Sequence, residues 1–245
     1  MALVHRGLCE SRTAAQKAIR EGRALLGGRP CPKPSTLVEA GDAVALTGDA
    51  PRYVGRGGEK LEGALRDFGI DPTGCTVLDV GASTGGFADC LLQHGASGII
   101  AIDVGHGQLH PRMAADARVI SVEGFNAREL SAQSLTERMG PLPPIGGCTA
   151  DVSFISLTHI LPGIKSVLMP GGWCCALVKP QFECGPSALD RHGVVRRESD
   201  RAVALTRVID AAEALGFAHM GSAPSRLRGG DGNMENFVFL CNRSS

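Results

Sequence analysis

Short apolar runs alternate with helix-length intervals over most of the chain. Thr76–Val80 (TVLDV), Gly98–Val104 (GIIAIDV), Val119–Val122 (VISV), Cys148–Val152 (CTADV) and Trp173–Lys179 (WCCALVK) are nearly continuous in aliphatic and small residues. Runs of that kind, without strict apolar and polar alternation, predict strands of a parallel sheet covered on both faces. Helical intervals are expected at Gly85–His94 and Thr158–Leu168, then a long helix at Ser199–Leu215 and a last strand at Asn236–Cys241 (NFVFLC). The order predicts a doubly wound, Rossmann-like α/β domain over residues 60–245. Its ligands belong beyond the carboxyl ends of the strands, where the strand order reverses.

The first 48 residues have a different texture. Ser11–Gly22 (SRTAAQKAIREG) carries an N-cap candidate in Ser11, apolar Ala14, Ala15, Ala18 and Ile19 at helical spacing, and Gly22 as a stop. Ala24–Leu26, a Gly27-Gly28 turn, a Pro-rich extended stretch and a short strand ending at Ala43–Leu46 follow. So small a piece buries little, which predicts a small α+β accessory domain at 1–48, joined by a linker at 49–59.

Charge changes this picture in one respect. Lys plus Arg and Asp plus Glu both number 25, so the whole chain has no net bias. Residues 1–35, however, hold the cations Arg6, Arg12, Lys17, Arg20, Arg23, Arg29 and Lys33 against Glu10 and Glu21. A basic module on a mildly acidic body is the expected layout. A hydrophobic share of 43% excludes a disordered chain. The nine cysteines form no C-x-x-C pair and read as small buried hydrophobes in a reducing compartment, with no metal site. Neither a signal-length apolar stretch at the amino terminus nor a membrane-length run occurs, so a cytoplasmic protein without a membrane partner is expected.

The first strand leads into LDVGASTGGFADCLL, with Gly81, Gly85 and Gly86 in the turn before a helix. Glycines there let the backbone approach a ligand, and free N–H groups at a helix start receive polar or anionic groups. A dinucleotide fingerprint requires glycine where Ser83 stands, which weakens a nicotinamide reading. Asp103 ends the second strand and suits the two ribose hydroxyls of an adenosine. Together these resemble the pattern of S-adenosylmethionine methyltransferases.

Four charged residues stand beside apolar segments, where a charge is costly unless paired or used. Asp151 and Lys179 end the fourth and fifth strands, Glu235 opens the last, and Lys60 sits in YVGRGGEKL ahead of the domain. The first three are expected to meet at one edge of the sheet. Lys60 joins them if the linker folds back.

The strings SRTAAQKAIREGRALLGG, GRGGEKLEGAL, VLDVGASTGGFADCLLQHGA, IDVGHGQL, FNAREL, ADVSFISL, LVKPQFE, HGVVR and GNMENF resemble, in order, the motifs of the TlyA (haemolysin A) family. In that family an S4 RNA-binding domain precedes an FtsJ-like methyltransferase domain. The resemblance implies S-adenosylmethionine-dependent methylation of a cytidine ribose 2′-hydroxyl in small- or large-subunit ribosomal RNA, with ribosomal RNA or assembled subunits as partners. It also implies a catalytic tetrad of Lys60, Asp151, Lys179 and Glu235, and cofactor contacts from Gly81, Ala82, Ser83, Gly86, Asp103 and Asn126. RNA contacts are expected from Arg12, Lys17, Arg20, Arg23 and Arg56, with Arg226 and Arg228 beside the tetrad. DNA, lacking the 2′-hydroxyl, is not expected as a substrate. The chain departs from the usual family pattern at its start, MALVHRG, at Gly27 in the S4 turn, and at His106 before Gly-Gln-Leu. Three alternatives stand beside this reading. A base methyltransferase fits poorly, because Asp151-Val152-Ser153-Phe154 replaces the Asn/Asp-Pro-Pro-aromatic clamp. The others are an RNA-binding protein without catalysis and a cytolytic protein.

Overall fold

A computed structural model describes residues 1–9, 12–48, 51–230 and 232–243, with the side chains of Thr13 and Lys17 outside the description. The chain divides into two compact units, Met1–Arg52 and Tyr53–Ser245.

In the small unit, α1 (Ala2–His5) and α2 (Arg12–Arg20) precede three antiparallel strands, β1 (Ala24–Leu26), β2 (Arg29–Pro30) and β3 (Val44–Leu46), in the order β2-β1-β3. The two-residue β1–β2 turn needs left-handed backbone at both positions, and Gly27 and Gly28 supply it at φ +58° and +80°. Leu3, Ala15 and Ala24 form the core, packed by Ile19, Val44 and Leu46 among others. Arg12 and Arg20 are exposed on α2. The expected cap, Ser11, and the side chain of Lys17 lie outside the described residues.

The large unit opens with α3 (Arg56–Phe68), then β4 (Thr76–Val80), α4 (Gly86–Gln93), β5 (Gly98–Asp103), α5 (Pro111–Ala114), β6 (Val119–Glu123) and α6 (Ala132–Met139). It continues with β7 (Ile145–Ala150), α7 (Leu161–Val167), β8 (Leu168–Val178), α8 (Pro180–Glu183), α9 (Glu198–Ala214), β9 (Phe217–Pro224) and β10 (Asn236–Asn242). One seven-stranded sheet runs β6-β5-β4-β7-β8-β10-β9. Neighbours from β6 to β8 are parallel, and β10 pairs antiparallel with both β8 and β9. The order reverses between β4 and β7, as expected of a doubly wound sheet.

Burial explains why these strands read as continuous apolar runs. Val77 packs with Leu61, Leu65 and Leu91 on the α3 and α4 face. Its neighbour Leu78 packs on the opposite face with Leu135, Leu157 and Ile164. Successive residues point to opposite faces, and both faces are covered.

Three features differ from the sequence reading. The stretch assigned to the linker ends inside the domain: Tyr53 is 3% exposed and α3 begins at Arg56. Lys60 therefore sits on a packed helix and needs no folding back of a linker. An additional strand, β9, follows the long helix; its sequence, FAHMGSAP, carries Gly, Ser and Pro and, after the buried Phe217 and Ala218, half-buries only alternate residues, which suits an edge strand. Finally, β8 starts at Leu168, five residues before Trp173, through the turn-like LMPGG.

Candidate active site

The carboxyl ends of β4, β7 and β8 and the start of antiparallel β10 share one edge of the sheet. The loop after β4 is pinned there by its own amides: the Gly81 and Ala82 N–H groups both donate to the Ile102 carbonyl, at 2.9 and 3.1 Å. Gly81 adopts φ +82°, and a Cβ on it would stand 2.8 Å from the Asp151 carbonyl oxygen. The glycine is thus required twice, by conformation and by the adjoining β7 chain. Gly81→Ala is expected to cost about 1–3 kcal/mol of stability and to weaken cofactor binding at least tenfold, read by urea denaturation and titration calorimetry. Unchanged binding would contradict the loop's assignment.

Ser83, at φ +47°, holds its N–H 2.8 Å from Asp103 Oδ2, and Gly105 N–H donates to Oδ1 at 2.7 Å. The Asp103 carboxylate is held in place by two amides, and each oxygen keeps a lone pair for a hydroxyl donor. The next loop is tied to the same strand end, because Phe125 N–H donates to the Asp103 carbonyl at 2.9 Å. Asn126 follows, exposed, with Oδ1 capping a short turn by accepting from Arg128 N–H at 3.1 Å. Backbone hydrogen bonds thus tie Gly81, Ala82, Ser83 and Asp103, and through Phe125 the start of the Asn126 turn, to neighbouring strand ends. Gly86 begins α4 and contributes differently. A Cβ on it would meet the Gly55 carbonyl oxygen at 3.2 Å and Gly58 N at 3.1 Å, so its bareness lets α3 pack against the loop helix.

That packing delivers Lys60. Its Nζ lies 2.6 Å from Glu235 Oε2, with side chains 10% and 3% exposed. Asp151 and Lys179 form a second pair, Oδ1 to Nζ 2.7 Å, with 23% and 12% exposure. The approach is not aligned as a hydrogen bond and acts as a charge pair, whereas Lys179 Nζ also donates to Ser153 Oγ at 3.0 Å. Register places the two pairs side by side, since Asn236 is opposite Val178 and each precedes or follows a charged residue of a different pair. Asn233, fully buried, accepts from Val195 N–H and donates to the Gly193 carbonyl, anchoring the loop that leads to Glu235.

Two residues were not singled out by sequence. Asp79 of β4 is fully buried, accepting from Thr149 Oγ1 at 2.9 Å. Burial pushes its carboxyl up to about 7 against that hydrogen bond, and the charges of Asp151 and Asp103 add to the rise. Its place in D-V-G, directly before the loop, was the available signal. Phe154 is 87% exposed at φ +63° and lies 5.2 Å from the Phe182 ring, centroid to centroid. A bulky residue in left-handed backbone is an outlier of the kind found at functional sites.

The cationic residues assigned to RNA fall in both units. Arg12 and Arg20 are exposed in the small one, where Arg23 is paired with Glu21 at 2.7 Å. In the large unit Arg56 is exposed at the start of α3, Arg226 pairs with Asp67, and Arg228 donates to the Gly232 carbonyl at 3.5 Å. Among the described residues there is no metal-binding cluster of His, Cys, Asp and Glu, and no helix is long and apolar enough to cross a membrane.

Comparison with known proteins adds the following. An FtsJ-like methyltransferase model matches residues 53–242, and an S4 domain model matches residues 1–44. The 16S/23S rRNA (cytidine-2′-O)-methyltransferase TlyA of Mycobacterium tuberculosis is 39% identical over 239 residues, covering 97% of this chain and 87% of that protein. Hemolysin A of Brachyspira hyodysenteriae is 36% identical over 229 residues, covering 94% and 93%. A solved Streptococcus thermophilus structure, under a provisional hemolysin name, superposes with a TM-score of 0.79 at 38% identity, covering 99% and 87%. Aeropyrum pernix fibrillarin, solved with S-adenosylmethionine bound, shares the fold alone at 12% identity, TM-score 0.52, over 74% of each chain.

Proposed function

The chain belongs to the TlyA family of S4-domain, FtsJ-like methyltransferases, and from that membership and the strand-end geometry we propose that it methylates a cytidine ribose 2′-hydroxyl in ribosomal RNA. The observation that carries the reading is the adjacency of two lysine–carboxylate pairs at the strand ends, where the Gly81 loop packs against the Asp151 backbone of one pair. The loop amides and the fixed Asp103 carboxylate suit S-adenosylmethionine, whose adenosine carries two hydroxyls. Gly81, Ala82, Ser83, Gly86, Asp103 and Asn126 would hold it. When bound, it supplies an electrophilic methyl group.

A ribose hydroxyl is a poor nucleophile and must be held in line while it loses its proton. Lys179 is the residue proposed to contact that oxygen and stabilise the charge that develops on it while the proton passes to water. Asp151 and Ser153 fix its ammonium from two sides. Lys60 and Glu235, buried and mutually neutralising, orient the neighbouring wall. Removing one partner of such a buried pair strands the other charge, so both are retained together.

RNA capture is assigned to the cations of both units: Arg12, Lys17, Arg20 and Arg23 in the S4 unit, and Arg56 in the other. The partners are ribosomal RNA or assembled subunits in the cytoplasm. Incubation with labelled S-adenosylmethionine and unmethylated 30S and 50S subunits tests the reading. Label in RNA, absent when DNA of the same sequence is supplied, is expected. Label in DNA would overturn the ribose assignment.

A further inference from the structure

Beside the tetrad lies a cleft of ≈ 490 Å³ that the proposed reaction does not use, lined by Arg128, Phe154, Ser156, His159, Phe182 and Arg207 among others. One wall is aromatic. Phe154 and Phe182 stand 5.2 Å apart at 49°, and Phe154 keeps its ring in solvent despite a strained backbone, so core packing does not account for it. The wall is continuous with the tetrad, because Lys179 Nζ is 6.0 Å from the Phe182 ring centre and Ser153, which binds that ammonium, precedes Phe154.

Two cations, Arg128 and Arg207, stand elsewhere on the lining. Among the described residues neither Arg128 nor Arg207 has a carboxylate within ion-pair distance. Arg207 gives one N–H to the Glu183 carbonyl at 3.0 Å, which steadies the guanidinium and leaves most of its fork to a ligand. Glu183 is the acid that lines the cleft, and its carboxylate is turned inward. It is 4% exposed, with Oε1 taking Leu157 N–H at 2.8 Å and Oε2 taking the Ser156 hydroxyl. Its charge is spent on holding the loop that carries Asp151 and Phe154.

We infer that this cleft is a second RNA subsite, which takes a phosphodiester and its attached nucleotide from the strand flanking the methylated ribose. The inference rests on the function proposed above and specifies how that site holds its substrate. Guanidinium forks match phosphate oxygens in pairs. Unstacked bases lie on aromatic faces, and the union of a cationic rail with such a face is the usual design for single-stranded nucleic acid. An acidic peptide would satisfy the arginines and leave the rings unused.

The test compares Arg128→Ala/Arg207→Ala with Arg128→Lys/Arg207→Lys. For the alanine pair, KM for ribosomal subunits is expected to rise at least tenfold, with kcat within about threefold and S-adenosylmethionine affinity unchanged. Binding to protein-free single-stranded RNA should lose about 0.7 of its log–log salt slope, the value for one phosphate contact, and the lysine pair should restore it. If wild-type protein methylates RNA and the alanine pair leaves KM and slope unaltered, the inference is wrong and the proposed function stands. A KM change on intact subunits without any change in binding to protein-free RNA would assign the cleft to a ribosomal protein and overturn it. Absence of RNA methylation by the wild-type protein would remove the functional reading and this inference with it.

Discussion

Lys179→Ala is expected to lower methyl transfer by about 10²–10³-fold, the range lost with one preorganised donor to a developing oxyanion, while S-adenosylmethionine binds within about threefold of wild type. The ammonium sits 2.7 Å from Asp151 and 3.0 Å from Ser153, so its position is set from outside and the freedom of a flexible side chain is already removed. That preorganisation makes the loss fall on kcat, since the interaction strengthens only as charge develops on the ribose oxygen. Lys179→Arg should not rescue, because a planar fork cannot occupy the place of a compact ammonium between Asp151 and Ser153. Single-turnover rates with saturating cofactor, alongside a circular dichroism check of folding, measure this. Near wild-type transfer by Lys179→Ala would remove the residue from the reaction.

The second large effect concerns stability and comes from Asp79. Its native carboxyl lies at about 7 against an ordinary 3.8, chiefly through burial. Between those values the folded protein binds a proton that the unfolded chain does not, so stability falls as pH rises from about 4 to about 7, at about 1.4 kcal/mol per unit at most. Above 7 the native state holds a buried negative charge whose full cost is in place. Asp79→Asn keeps the shape and an acceptor for Thr149 and removes that charge, at the smaller cost of an amide group facing the Ala88 N–H that the carboxylate accepts. The ligand-free variant is therefore expected to be about 2–4 kcal/mol more stable than wild type at pH 8, with the difference closing near pH 4. Urea denaturation of both proteins across this range decides it. A variant less stable than wild type at pH 8 would contradict the sign. A carboxylate kept at that cost directly beneath the ligand loop is what a site that gives up stability for function predicts.

Much of the framework was legible because it depends on local pattern. Strands buried on both faces have to be apolar throughout, and a loop that approaches a ligand has to be bare, so TVLDV and GASTGG announce themselves. Asp151, Lys179 and Glu235 could be placed at one edge because strand ends define it. Other features depended on partners distant in sequence. The β9 strand is an edge, and its half-exposed FAHMGSAP lacks the apolar density of the interior strands. Helix α3 has a helical stripe in Leu61, Ala64, Leu65 and Phe68, yet its start reads as linker; Gly57 and Gly58, with Gly55 just before them, are bare there because Tyr53 and the start of α4 press against them. The exposure of Phe154 and the inward turn of Glu183 arise from the loop between β7 and α7, whose path no periodicity records.

In the proposed reaction the ribose oxygen, and no base atom, receives the methyl group. Unmethylated 30S and 50S subunits are labelled by the protein with S-adenosylmethionine, the RNA is digested to nucleosides, and the labelled product is identified by chromatography and mass spectrometry. The expected product is 2′-O-methylcytidine, lost in Lys179→Ala. A base-methylated nucleoside, or label that persists in that variant, would contradict it.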